Sequence, residues 1–410
     1  MLGLAVLPVL LGVTGSPSFV ISPRHWDWAS ASQLAAYIEQ VDRQGLAAKD
    51  YAPAALKLAI DQGDDGLLEV AATRSFGLLA RDLTRGHVQP ERRGNNFIAS
   101  DDIEPGRVAV LIDLALARHD VSAVLDSLAP QDMQYRALKA ALARLPPGER
   151  DERRALRVNL ERLRWLPRDL GADRLEVNVP EYTLRLFRDG RETASFRVIV
   201  GKPSTPTPQF SARVTDVIIN PSWHVPPSII AESVGALVRT RPTTARARGY
   251  VWSYRGGSLS VTQRPGPLNA LGQIKLEMPN PFKVYVHDTP GKALFDEEQR
   301  AFSHGCIRTG RPRELAAALL GMADLAAIDS LIAGGTTVRL ALSRPMPIHV
   351  VYQTVLAEAD GSIRYLRDPY DLDPAIAAEL DDQNPILSGD GRDTECSSFT
   401  RAGRKRRSAS

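Results

Sequence analysis

Two kinds of periodicity divide the chain. Between residues 29 and 145 apolar positions recur at three- and four-residue intervals, with Leu34, Tyr37, Ile38 and Val41 on one face and Leu78, Leu79 and Leu83 on another. Residues 108–116 and 121–128 form a predicted helix pair divided by His119 and Asp120, and a further helical stretch over 152–165 ends ahead of Pro167. No constellation of reactive side chains falls in this half. After Pro180 the period drops to two: Tyr182, Leu184 and Leu186 alternate with Thr183, Arg185 and Phe187, Asp189-Gly190 supplies a tight turn, and 196–200 returns as the second strand of a hairpin. Strands are predicted over 214–219, 283–287, 336–342, 347–357 and 362–366, the last reached through an Asp360-Gly361 turn. One helix is expected over 311–333, with Pro312 near its start and Gly334-Gly335 as its stop. Residues 228–263 are less regular. They carry Arg239, Arg241, Arg246 and Arg248 around short strand-like pieces and read either as a flap inserted between sheet elements or as a plain surface excursion.

The predicted fold class is therefore multidomain α+β, an α-helical module followed by a mostly β domain. The expected boundaries are 1–20 for a signal peptide or its remnant, 21–170 for a helical scaffold domain, 175–375 for the β domain with its flap at about 228–263, and 376–410 for a polar basic tail. A chain of 410 residues can bury one full core and still supply a second domain. Its 43% hydrophobic and 24% charged residues exclude wholesale disorder and a multi-span membrane protein. A net charge of +3 singles out no nucleic acid and is equally compatible with an acidic cell-envelope polymer. The concentrated basic run at 401–407 lies beside serines and reads as a solvated tail. Residues 2–13 are apolar and pass into Gly15, Ser16 and Pro17, as in an export signal, although no Lys or Arg precedes them; the stretch is too short to span a bilayer. Of the two cysteines, Cys306 sits in a glycine motif and Cys396 in a polar terminal stretch, and a bridge between them would consume the thiol with the more reactive setting.

The run Ser303-His304-Gly305-Cys306-Ile307-Arg308 is the sharpest local feature. A thiol is a good nucleophile only as thiolate, which calls for a nearby base, a positive group or convergent backbone N–H groups. Gly305 permits a tight main-chain path on which N–H groups could meet a developing oxyanion. Two imidazoles compete for the base. His304 is adjacent, while His287 closes a predicted strand that can hold it against a distant residue, with the Asp288 carbonyl or side chain to fix its tautomer. The plain structural reading makes Cys306 a buried small hydrophobe. A metal held by Cys306, His304 and His287 lacks a fourth ligand, so neither metal nor organic cofactor is expected. Arg308, beside the thiol, suits a substrate carboxylate or a surface ion pair. Loops around Trp223 and Asn269, and Lys275 on a predicted strand, are candidates to line the same groove, as is Ser303.

These residues, taken together, resemble the L,D-transpeptidases with a YkuD-type catalytic domain, and within them the large Gram-negative branch. The resemblance rests on His287 followed by the Ser303 to Arg308 motif, on Asn159-Leu160-Glu161-Arg162 with Arg164-Trp165-Leu166-Pro167, and on Val177-Asn178-Val179-Pro180. Val200-Gly201-Lys202-Pro203 leading to Thr207-Pro208, Asn220-Pro221 with Trp223, and Pro265-Gly266-Pro267 with Asn269 and Lys275 add to it. The likeness covers about 155–375. It implies a YkuD-like sandwich, a Cys306 nucleophile, a His287 base oriented by the Asp288 carbonyl, and His304 shaping the oxyanion region with N–H groups around Gly305 and Cys306. It also implies peptidoglycan stem peptides as partners, 3-to-3 cross-linking through a Cys306 thioester with release of D-alanine, covalent capture of carbapenems at Cys306, and a periplasmic location. Two features depart from the branch: 145–152 has no room for a separate peptidoglycan-binding module, and the flap is compact. Hydrolysis of the same thioester, giving a carboxypeptidase or endopeptidase, and an inactive envelope-binding scaffold are the competing functions.

Overall fold

A computed structural model describes residues 25–98, 105–146 and 148–381. The apolar N-terminal stretch, the basic run at 401–407 and Cys396 lie outside the described residues. Seven α-helices build the first half: α1 (Trp28–Glu39), α2 (Pro53–Gln62), α3 (Asp65–Arg85), α4 (Pro105–Arg118), α5 (Val121–Leu128), α6 (Met133–Arg144) and α7 (Arg150–Arg164). Asp27, Asp64, Asp120 and Asp132 cap four of them, each carboxylate accepting a first-turn N–H that the helix leaves unpaired. Their apolar stripes, among them Leu34, Phe76, Leu79, Leu125 and Leu138, meet in one core.

Helix α7 departs from this pattern. Although polar, it buries Asn159, Glu161, Arg162 and Arg164, because it lies between the helical module and the β domain. Buried charge survives only when paired and hydrogen-bonded. Glu161 accepts from Val88 N at 2.8 Å and Trp165 Nε1 at 3.0 Å and pairs with Arg164 at 3.0 Å, and Arg164 reaches the Tyr135 hydroxyl at 2.9 Å. On the other side Arg162 pairs with Asp373, and Asn159 exchanges two 2.8 Å bonds with Thr354. Helix Asp373–Asp381 docks here through Ile376, Ala377 and Leu380, so the first residues of the stretch expected to be a tail are packed structure. Their apolar face covers Trp165 and Val158, which would otherwise meet water.

The second half contributes strands β1 (Arg174–Asn178), β2 (Thr183–Arg188), β3 (Arg191–Gly201), β4 (Phe210–Ile219), β5 (Trp223–His224), β6 (Tyr250–Arg255), β7 (Ser258–Gln263), β8 (Ile274–Glu277), β9 (Val286–His287), β10 (Ala301–Ser303), β11 (Ile307–Thr309), β12 (Val338–Val351), β13 (Val355–Ala357) and β14 (Ile363–Tyr365). The main sheet runs β10-β3-β11-β9-β8-β4-β12-β1-β2, and β2 also pairs with β3, so the sheet closes on itself around a single core. This is the expected α+β arrangement, a helical module followed by a β-rich domain.

Three local expectations change. Residues 228–263 are not irregular: helical turns fill 227–247, β6 and β7 form a hairpin, and β5 joins them in a separate three-stranded sheet. Val234 and Val238, one helical turn apart, pack with Trp223, Tyr250 and Val261 while the four arginines face solvent. The helix expected over 311–333 is two helices, Pro312–Leu320 and Ala326–Ala333, because Gly321 takes the left-handed conformation (φ +69°) and ends the first. The strands expected at 336–342 and 347–357 are one long β12 followed by β13, with the β12 register shifting between Ala341 and Met346 where Pro345 cannot donate to the ladder.

The helical module also touches the β domain at a second place. Asn96 bridges to Gln209, the Phe97 N–H donates to the Gln209 carbonyl at 2.8 Å, and the Asn95 side chain donates to the Thr207 carbonyl at 3.0 Å. Among the described residues no helix is long and apolar enough to cross a membrane. Arg164→Leu strands the buried Glu161 charge and should cost about 3–5 kcal/mol of stability; urea unfolding followed by far-ultraviolet circular dichroism measures this, and a loss under about 1 kcal/mol would mean that Glu161 finds another partner.

Candidate active site

The site lies on one face of the sheet, and strand alternation decides which side chains reach it. Leu276, Val286 and Ile307 point into the core. Their neighbours Lys275, Tyr285, His287, Cys306 and Arg308 therefore project to the opposite face. Register brings them together: Lys275 sits opposite His287 across the antiparallel β8–β9 pair, and His287 sits opposite Arg308 across the parallel β9–β11 pair. Cys306 precedes β11 and is displaced two residues from His287 on the adjacent strand, roughly 8 Å between Cα atoms by strand spacing and rise. The Cys306 thiol itself is directed to the Lys283 carbonyl at 3.9 Å.

His287 is buried; its Nδ1 donates to the Asp288 carbonyl at 2.5 Å, and the Leu271 backbone also hydrogen-bonds the ring. Burial, reinforced by the Arg308 and Lys275 charges, pushes its pKa down to about 3, so the imidazole rests neutral. The Asp288 carbonyl is held from all sides. The Asp288 N–H donates to the Ile274 carbonyl at 2.8 Å, and its carboxylate accepts from Thr289 N at 2.6 Å, Gln273 N at 2.9 Å and the Lys292 ammonium. Gly272 (φ +61°) is required beside it, since a Cβ there would run into the Asp288 carboxylate.

Cys306 is half-buried. Burial raises its thiol above the ordinary value, opposed by hydrogen bonding to Tyr285 and by the Lys275 and Arg308 charges. Arg308 makes no ion pair among the described residues, and its buried Nε has no partner. Lys275 is less free, with Glu277 at 2.9 Å and the Tyr285 ring 4.5 Å below its ammonium.

The loop before the thiol is braced from within. Gly305 adopts φ +106°, and its N–H donates to the Ser303 hydroxyl at 3.1 Å, which itself donates to the Cys306 carbonyl at 2.5 Å. Thr207 donates to the Gly305 carbonyl at 2.8 Å and accepts from the Gly201 N–H at 2.8 Å. The Gly305 N–H, expected to serve an oxyanion, is thus occupied, whereas none of the described residues accepts from the Cys306 N–H. Ser303 is buried, and its hydroxyl is engaged in the brace. Asn269 is engaged in the same way. Its amide donates to three carbonyls, of Pro221, Gln263 and Arg264, and its oxygen accepts from Leu271 N, because the loop must satisfy its own buried backbone.

His304 points away from the base position. Its Nε2 lies 2.8 Å from the Glu232 carboxylate of the flap, and Glu232 also pairs with Lys202 at 3.6 Å. Of the two imidazoles open to the base role, His304 is engaged by the flap, whereas His287 projects to the thiol's face of the sheet. Trp223 packs in the flap core and hydrogen-bonds Tyr285 at the edge of the site. Sequence reasoning named Thr207 within the resemblance but gave it no role, and it missed Tyr285 and Glu232. Tyr285 was accessible, being two residues from His287; Thr207 and Glu232 lie about a hundred and about seventy residues from the motif, and nothing adjoining the motif points to them. Among the described residues no group of three or more His, Cys, Asp or Glu side chains is placed to hold a metal ion.

Comparison with known proteins bears on the same region. Residues 172–340 match the family model of the L,D-transpeptidase catalytic domain, named YkuD, and residues 24–142 match a scaffold domain. A putative L,D-transpeptidase of Haemophilus influenzae is 29% identical over 273 residues, 62% of this chain and 55% of that protein, so the chain spans about half the length of the curated relative it matches. Among solved structures, an L,D-transpeptidase from Mycobacterium smegmatis aligns at 16% identity over 44% of this chain and 58% of its own, with a TM-score of 0.25. L,D-transpeptidase 3 from Mycobacterium tuberculosis, in complex with a faropenem-derived adduct, aligns at 16% identity over 44% and 60%, with a TM-score of 0.24. The chain thus joins a helical module that matches a scaffold-domain model to a β-rich domain that matches the model of the L,D-transpeptidase catalytic domain.

Proposed function

We propose that the protein is a cysteine-dependent L,D-transpeptidase of the large Gram-negative branch, which forms 3-to-3 peptidoglycan cross-links in the periplasm. The observation that carries this reading is the parallel β9–β11 register, with a neutral His287, tied through Nδ1 to Asp288, on the same face as Cys306. In the first half-reaction Nε2 of His287 takes the Cys306 proton as sulfur attacks the carbonyl joining diaminopimelate to D-alanine. The Cys306 N–H is the backbone donor available to the oxyanion. Collapse breaks the C–N bond, His287 returns the proton to the departing amine of D-alanine, and a thioester remains. The side-chain amine of a second stem then attacks this thioester and gives its proton to His287. The new amide forms as C–S breaks, and the sulfur recovers the proton. Arg308, without an anionic partner and beside the thiol, suits a substrate carboxylate. The same nucleophile would open a carbapenem ring and hold it as an acyl adduct.

Purified protein incubated with disaccharide-tetrapeptide tests the reading by mass spectrometry. Wild type should yield 3-to-3 dimers and free D-alanine; tripeptide without dimer would assign it to hydrolysis instead. Cys306→Ala should abolish thioester and product, and equal product from that variant rejects the mechanism. His287→Gln should slow thioester formation by about 100- to 10,000-fold, the usual worth of a positioned base.

The resting charge state is a separate prediction. Since burial raises the thiol and keeps His287 neutral, iodoacetamide alkylation of Cys306 should climb only as the thiol itself ionises on the alkaline side. A flat reactive plateau reaching down to about pH 5 would instead reveal a preformed thiolate–imidazolium pair.

A further inference from the structure

Beyond the thiol, the same sheet face leads to a second cavity of about 490 Å3, between β3, the end of β11 and the short turn Lys292–Phe295. Ile199 lies opposite Arg308 in the β3–β11 pair, so Arg197, two residues along β3, shares the face of Arg308 and His287. Three cations, Arg197, Lys292 and Arg311, line the cavity, and among the described residues no carboxylate does. Lys292 is partly spoken for by Asp288. Among the described residues the two guanidinium groups hydrogen-bond only to backbone: Arg197 reaches the Phe295 carbonyl at 3.5 Å, and Arg311 the Ser195 carbonyl while resting 4.9 Å over the Phe196 ring. Helix Pro312–Leu320 begins directly after Arg311 with no side chain capping it, adding partial positive charge at its N-terminus. Phe295 supplies apolar wall, whereas Phe196, next to Arg197 on β3, turns its ring into the sheet core under Arg311.

We infer that this cavity binds the carboxylates of the acceptor stem, an acidic peptide lying along the sheet face with its attacking amine at Cys306; the inference rests on the transpeptidase reading above. Four residues of strand separate Cys306 from Gly310 at the cavity rim, roughly 13 Å. An extended peptide covers that in about four residues. An acceptor that presents its amine at one point and carboxylates along its chain therefore matches the spacing. Guanidinium forks fit carboxylates bidentately, and Phe295 suits an alanine methyl group.

The double variant Arg197→Gln/Arg311→Gln separates this inference from the reading beneath it, because neither residue touches the thiol or its base. Thioester formation on the donor, followed by intact-protein mass spectrometry, should keep its wild-type rate, while the KM for a carboxylate-bearing acceptor tripeptide should rise roughly 10- to 100-fold. An acceptor with its carboxylates amidated should show the higher KM already on wild type and no further rise on the variant. Absence of any thioester on wild type would overturn the transpeptidase reading itself. Normal thioester formation with an unchanged acceptor KM, or an equal rise for the amidated acceptor, would overturn the cavity's role. Competition by inorganic phosphate at lower concentration than the acidic peptide would also overturn it, assigning the cavity to phosphate.

Discussion

The geometry of the site depends on a parallel pairing between two very short strands, β9 with two residues and β11 with three. Strands this short contribute little pairing energy, so their register is set by what lies on the far side of the sheet. Val286 and Ile307 sit opposite each other in the apolar core, the Ile307 N–H donates to the Tyr285 carbonyl at 3.0 Å, and the Asp288 N–H is tied to β8. A slip of one residue would turn His287 into the core and Val286 toward the thiol, exposing apolar surface and burying an imidazole without a partner. Packing of hydrophobic residues therefore decides where the candidate base stands.

The thiol side is held differently, by a polar brace drawn from distant parts of the chain. Ser303 closes the loop on itself, Thr207 clamps Gly305, and the Tyr370 hydroxyl joins Gly201 at 2.7 Å to the Thr207 N–H at 3.1 Å. The helical module enters the same network through Asn95 on the Thr207 carbonyl. Each such bond is worth only about 1 kcal/mol in net stability. Its larger effect is positional, since a reacting group displaced by about 1 Å can cost on the order of 100-fold in rate. The buried polar surface of α7 works at the opposite end of the same interface, so module and β domain are joined at two separated points.

Charge around the site favours anions on the thiol's side of the sheet and a neutral imidazole beside them. Arg308 and Lys275 both act to keep His287 neutral and both act to lower the thiol, while burial acts against either ion. A thiolate or an oxyanion formed during reaction would meet cations already in place, at no cost of reorganisation. The flap completes the enclosure, with an apolar cluster around Trp223 and Val234 and with Glu232 set against His304.

Periodicity is enough to separate a helical module from a β domain, because helix and strand impose their spacing on neighbouring residues and leave it visible in any short window. The motif residues are equally visible: Cys306 beside a glycine, and His287 at the end of a strand, announce reactive chemistry from their immediate surroundings. Choosing between His287 and His304 is not a local matter. It turns on strand register and on a flap carboxylate about seventy residues away, and neither leaves a trace in the residues adjoining the motif. The same limit explains Ser303 and Asn269, whose polar atoms look free in one dimension and are consumed in three. It explains α7 as well: a polar helix reads as solvated until two modules close over it, and only then must every charge find a partner.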